Sequence, residues 1–269
     1  MKRIISVELS LAFRNSRFLL AVIFAVILFI VGAYRNPFAF GQRPTLHPVG
    51  WYLLNINFSE FKLFAPLFAA LPFADSFLSD WSQGFQRFIV QRTRYRSYLT
   101  AKILAVAVSG GLALVLIELV IFAGGFTRPF DWAGSAWHSL SPNTVSAPNG
   151  PFGAILNSSP IAYFLFQLGS AGCFGACMAL VGLAISTIIH NRYVALAFPL
   201  VLSQLLAFLV QRTVHIPQFF DLLLGLFPQD AIPAIGEYTF SHQLLQYLVI
   251  GGLATLTFWI GTKRMRRNL

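Results

Sequence analysis

Residues 103–122 read ILAVAVSGGLALVLIELVIF, an apolar run whose only charged member is Glu118. A helix of about 17–25 such residues crosses a hydrocarbon core of roughly 30 Å, because each residue adds about 1.5 Å. The rest of the chain agrees with this reading, since 57% of its 269 residues are apolar and 10% are charged. Ordinary soluble domains have roughly 45–50% and about 25%. The sequence therefore predicts an α-helical membrane protein and argues against a soluble, disulfide-stapled or disordered one.

Five further apolar runs have a similar length and little charge. They are 18–34, 61–78, 161–189, 193–210 and 244–260. Pro66 and Pro72 interrupt the run 61–78. Because proline lacks the backbone N–H that a helix needs, this span is expected to be broken. We predict an all-α polytopic protein with six transmembrane helices in one transmembrane domain, 1–269.

The balance of basic residues predicts the orientation. With the N-terminus on the cytoplasmic side, fourteen of the nineteen Lys and Arg residues fall inside and five outside, as the positive-inside rule requires. This asymmetry needs an even number of spans, and it places both termini on the cytoplasmic side of a cell membrane. The formal charge of +10 is then a consequence of topology, and no nucleic-acid partner is expected.

Residues 1–17 precede the first span and carry alternating polar and apolar positions. Arg3, Ser6, Ser10, Arg14 and Arg17 recur at spacings of three and four, which predicts an amphipathic helix lying in the membrane interface. Glu8 interrupts its apolar side. A simple cytoplasmic stub is the alternative.

The predicted external segments differ from one another. Residues 35–60 contain Pro37, Pro44 and Pro48 and are expected to be irregular, and 123–160, rich in Gly, Pro, Ser and Asn, are expected to form a long external loop. Residues 211–243 contain short apolar stretches, 216–227 and 231–235, that are too short to cross and are separated by prolines. They predict re-entrant helices before the last span, or ordinary amphipathic loop helices.

No catalytic or metal-binding motif is present in the sequence. It has no phosphate-binding Gly-Lys-Ser/Thr loop, no His-Glu-x-x-His and no Gly-x-Ser-x-Gly. Cys173 and Cys177 are four residues apart, but no third ligand lies near them in the sequence. The chain is therefore not expected to be an enzyme or to hold a cofactor.

Two features within the spans stand out. Glu118 is an acid inside a clean span, and such residues usually face a cavity or a partner; a role in a transport pathway and snorkelling toward the external headgroups are both open. Small residues at Gly169, Gly172 and Gly175 predict close helix packing, either within this chain or with a second copy.

The cytoplasmic stretch 79–102 follows the second span. Asp80 or Ser82 is suited to cap a short helix, on which Phe85, Phe88 and Ile89 share one face. A short apolar stripe with basic flanks fits a groove on a soluble partner, although a basic loop lying on anionic lipid has the same composition.

This stretch resembles the permease subunits of type-two ABC exporters. In that family an acidic residue, a glycine four residues later, an Arg-containing turn and a Lys that opens the third span follow one another. The matching residues here are Asp80, Gly84, Arg87, Arg92, Tyr98 and Lys102. Val7-Glu8-Leu9 with Arg14 and Arg17 looks like the family's interfacial helix, and 216–235 looks like its re-entrant pair.

The resemblance implies a mechanism that needs other subunits. Two permeases, either two copies or homologues, would form the pathway, and separate ATPase subunits would supply ATP and Mg²⁺. The residues implied in docking the ATPase are Asp80, Ser82, Gly84, Phe85, Arg87, Phe88, Arg92 and Glu8. The cargo would be hydrophobic or amphipathic, such as a peptide, drug or lipid. A secondary transporter or channel without an ATPase is the alternative, and an intramembrane enzyme fits less well.

Overall fold

The computed structural model describes residues 2–35, 47–84, 94–126, 150–212, 216–227 and 238–267. Within these ranges the regular elements are all helical. They are α1 (Lys2–Arg14), α2 (Ser16–Arg35), α3 (Pro48–Phe58), α4 (Phe61–Ala70), α5 (Ser76–Ser82), α6 (Tyr95–Gly125), α7 (Gly150–Ser158), α8 (Pro160–Ser186), α9 (Arg192–Arg212), α10 (Leu223–Leu226) and α11 (Phe240–Arg267), with a 3₁₀ turn at Gln218–Phe220.

Four helices of the described chain are long and apolar enough to cross a membrane: α6, α8, α9 and α11. A fifth is reached when α1 and α2, which meet at an angle of 46°, are taken as one broken span. The protein is therefore an α-helical protein with four to five helices of membrane-spanning character. Each apolar run predicted to be a span lies largely within these helices or within α4 and α5.

Of the two interruptions predicted, at Pro66 and at Pro72, the structure shows only the second as a break in the helix, at residues 71–75. Helix α4 tolerates Pro66 in its interior, and it ends at Ala70, immediately before a turn that contains Pro72. The chain then resumes as the seven-residue helix α5. Neither helix is long enough to cross a membrane by itself.

Helix α8 is the centre of the bundle and packs against α4, α6, α9 and α11. Its closest approach is to α6, where a Cβ atom built on Gly175 would lie 2.5 Å from the carbonyl oxygen of Gly110. A Cβ atom built on Gly172 would lie 3.3 Å from Cγ2 of Val115 on the same helix. Gly169, which the sequence grouped with them, is exposed and faces open space, because it lies on another side of the helix. Gly169 therefore makes no close helix contact with the described part of the chain.

Three expectations about boundaries need correction. Residues 48–58 form helix α3 rather than irregular chain, because Pro48 occupies the first turn and His47 accepts a hydrogen bond from the N–H of Val49. Within 123–160, which were expected to be a loop, residues 150–158 form helix α7. Helix α6 begins at Tyr95 rather than near residue 103, so the end of the basic segment is already helical. Residues 228–237, which include one predicted re-entrant stretch, lie outside the described ranges.

Candidate functional site

A buried cluster of charged side chains joins three separate elements at one end of the bundle. Lys102, in the second turn of α6, is 1% exposed. Its Nζ atom lies 2.8 Å from Oε2 of Glu8 on α1 and 2.7 Å from Oδ2 of Asp80 on α5. The Tyr98 hydroxyl donates a hydrogen bond of 2.6 Å to the same Asp80 oxygen. We call Glu8, Asp80, Tyr98 and Lys102 the base cluster.

The local sequence explains why these four side chains meet. Tyr98 and Lys102 are four residues apart and therefore share one face of α6. Glu8 lies on the side of α1 that packs on α6, next to the fully buried Ala12. The break at 71–75 allows α5 to bring Asp80 to the same point. The interruption that Glu8 makes in the apolar face of α1 thus has a structural cause, because its carboxylate is the ion partner of a buried lysine.

The surroundings of Lys102 make the cluster a strong constraint on the relative positions of α1, α5 and α6. Its ammonium group lies 4.9 Å from the centre of the Phe73 ring and 5.7 Å from that of Tyr98, within the range of cation–π attraction. A buried charge whose partner is removed costs several kcal/mol. Displacement of α1 or α5 away from α6 would remove one of the two carboxylates that compensate Lys102, so the three elements are expected to move together.

A second ion pair fixes the junction of α1 and α2 to the same region. Nη1 of Arg17 lies 2.8 and 2.7 Å from the two carboxylate oxygens of Asp75. Asn15, at the break between the two helices, donates to the carbonyl of Pro72 at 3.0 Å. The C-terminal end of α1 is thereby tied to the broken segment that carries Asp80.

The residues predicted to dock an ATPase are placed as follows. Asp80 and Glu8 belong to the base cluster, where their carboxylates face Lys102. Ser82 is exposed at the end of α5 and donates to the carbonyl of Ser79. Gly84 has a φ of 69°, a left-handed conformation that ends α5 and favours glycine. Phe85, Arg87, Phe88 and Arg92 lie outside the described residues.

Glu118 lies in the interior of the bundle rather than at its surface. It is 0% exposed, and Nε2 of Gln167 on α8 lies 3.5 Å from its Oε1 atom. The fully buried Tyr52 of α3 interacts with the same carboxyl group. The side chain therefore does not snorkel toward headgroups, because α3 and α8 cover it.

A polar network that sequence reasoning missed supports the irregular chain at 218–227. Gln167 donates to the carbonyl of Leu226 at 2.7 Å, and Gln243 donates to that of Gly225 at 2.9 Å. Gln246 donates to the carbonyls of Phe219 and Asp221 at 2.9 and 2.8 Å. Non-helical backbone is tolerated among membrane helices only when its polar groups are satisfied. The feature of the sequence that could have predicted this network is the presence of isolated glutamines in apolar helices, together with the nearby segment that prolines break.

No cluster of three or more His, Cys, Asp or Glu side chains suited to a metal ion occurs among the described residues. The chain matches no family model, no curated protein and no solved structure.

Proposed function

We propose that this chain is the permease subunit of an ATP-driven exporter of the type-two ABC class. In this proposal two permeases form the pathway across a cell membrane. Separate ATPase subunits bind ATP and Mg²⁺ and dock on the cytoplasmic segment 79–102.

The observation that carries the proposal is the base cluster. Both described ends of the segment 79–102 are joined in the bundle, because Asp80 near its start bonds Tyr98 and Lys102 near its end. Glu8 adds the N-terminal helix to the same point. A force applied to the segment by a partner would therefore reach α1, α5 and α6 together, which is what coupling of ATP hydrolysis to helix movement requires.

The proposal includes six spans with both termini in the cytoplasm. Helices α4 and α5 together supply the second crossing, with the turn at 71–75 inside it. Helix α1 lies in the interface, since Val7 and Leu11 are more than half exposed and Glu8 faces inward. The segment 216–227 is the described part of the re-entrant region.

An apolar cavity supports a hydrophobic or amphipathic cargo. It has a volume of about 310 Å³ and lies between α8, α9 and α11, with Phe219 and Phe220 at one end. Its lining is almost entirely aliphatic and aromatic, with Gln246 and Thr257 as the polar members. Such a lining favours apolar groups over ions.

Copurification tests the docking step. The tagged chain, extracted from its native membrane in mild detergent, is expected to bring down a P-loop ATPase. Phe88→Asp should abolish this association, because it places a charge on the predicted docking stripe. Phe126→Asp makes the same change at the opposite end of α6, at an exposed residue, and should retain the ATPase. Equal association for both variants would show that 79–102 is not the docking segment.

One observation favours a second candidate, an ion-coupled secondary transporter. Glu118 is a fully buried acid within a span-length helix, and such residues often carry protons or bind ions in transporters. In that case transport would continue without an ATPase and would be lost in Glu118→Gln. The exporter proposal expects that transport stops without the ATPase and that it continues in Glu118→Gln.

A further inference from the structure

A polar cavity lies beside the base cluster, between α1, the turn at 71–75, α5 and the start of α6. Its volume is about 350 Å³, within the range of roughly 300–1,000 Å³ that ligand pockets occupy. Its lining is dominated by charged and hydroxyl side chains. The lining includes Leu11, Arg14, Arg17, Asp75, Ser76 and Lys102.

Three cations, Arg14, Arg17 and Lys102, and two carboxylates, Asp75 and Asp80, line the cavity, and Glu8, which bonds Lys102 from outside the lining, adds a third carboxylate. Lys102 is paired with Glu8 and Asp80, and Arg17 is paired with Asp75. Arg14 has no acidic partner among the described residues. Arg17 bonds Asp75 through Nη1, and a guanidinium group has further N–H donors on its other nitrogens.

A second observation points to a ligand. Ser76 is 7% exposed, and its hydroxyl has no hydrogen-bond partner within the described part of the chain. Buried hydroxyl groups are normally hydrogen-bonded, since burying one without a partner costs free energy. A donor hydroxyl beside two guanidinium groups matches the oxygens of a phosphate, which accept several charge-assisted hydrogen bonds at once.

The position of the cavity identifies the carrier of that phosphate. Leu11 is 54% exposed and lies on the rim, next to the exposed apolar residues of α1. A headgroup in the cavity would therefore place its acyl chains along this apolar face. We propose that the cavity binds the phosphate of an anionic lipid headgroup. This site is independent of whether an ATPase partner exists.

Native mass spectrometry of the full-length protein in detergent tests the site. The probes are phosphatidylglycerol, diacylglycerol as the matched lipid without phosphate, and inorganic phosphate. We expect phosphatidylglycerol to bind and diacylglycerol not to bind. Arg14→Gln should weaken binding about tenfold, as expected for loss of a charge-assisted contact. Ser76→Ala should weaken it less, by about threefold, because it removes one neutral donor.

The matched control is Arg96→Gln, which removes an exposed arginine outside the cavity and should leave binding unchanged. Arg14→Lys should restore part of the affinity. Equal weakening by Arg14→Gln and Arg96→Gln would mean non-specific attraction and would overturn the site, as would equal binding of the two lipids. Binding of inorganic phosphate alone, lost in Arg14→Gln, would keep the phosphate site and overturn its assignment to a lipid.

Discussion

Replacing Lys102 by methionine should destabilise the protein strongly. Methionine retains much of the length and apolar character of the side chain but removes the charge. The carboxylates of Glu8 and Asp80, whose side chains are 7% and 24% exposed, would then face each other without a cation. Removal of one partner from a buried ion pair costs about 3–5 kcal/mol. Because Asp80 is partly hydrated, we expect the free energy of unfolding to fall by about 3 kcal/mol.

Equilibrium unfolding in mixed micelles, followed by tryptophan fluorescence, measures this loss. Lys263→Met is the matched control, since Lys263 is exposed near the end of α11, and it should change the free energy of unfolding by less than about 0.5 kcal/mol. Glu8→Gln should lower the free energy of unfolding by an intermediate amount, about 1 kcal/mol, because Lys102 is still paired with Asp80. A Lys102→Met protein as stable as wild type, or a larger loss in Glu8→Gln, would refute the role given to the base cluster.

Three further substitutions test the interior of the bundle by the same unfolding measurement. Gly175→Ala should lower the free energy of unfolding by about 1–3 kcal/mol, because the added methyl group forces α6 and α8 apart. Gly169→Ala, whose methyl group meets open space, should leave the free energy of unfolding unchanged. Equal effects of the two substitutions would contradict the close contact between α6 and α8. Gln246→Leu should cost about 1–3 kcal/mol by leaving two backbone carbonyls without their donor, while the exposed Gln211→Leu should cost nothing, and a stable Gln246→Leu protein would disprove the supporting role. Glu118→Gln should leave stability unchanged or raise it at pH 7, because it removes the desolvation of a buried carboxylate, and a loss above about 1 kcal/mol would show that the carboxylate is well paired.

The apolar runs were predictable because their signal is local. A helix such as α8 follows from composition and length alone, and the break near Pro72 follows from the chemistry of proline. Helix α3 was missed because its neighbours in sequence are rich in proline and glycine, and its burial depends on contacts with α2, α4 and α6.

The base cluster could be predicted only as a set of residues, not as a contact. Glu8 and Lys102 are 94 positions apart in the sequence. A charged side chain near a membrane surface can equally well be hydrated as paired with another charge. The pairing depends on how α1 folds back on α6, which the local pattern does not encode. The sequence left the burial of Glu118 open for the same reason, since the residues that cover it come from α3 and α8.

The most direct test of the proposed exporter is the ATP hydrolysis that accompanies the chain in its own membrane. The tagged protein, purified without crosslinking, should carry Mg²⁺-dependent ATPase activity well above that of an untagged control. The Phe88→Asp protein should lack this activity while remaining folded in the unfolding assay. A wild-type preparation that contains no P-loop ATPase and hydrolyses no ATP would contradict the account.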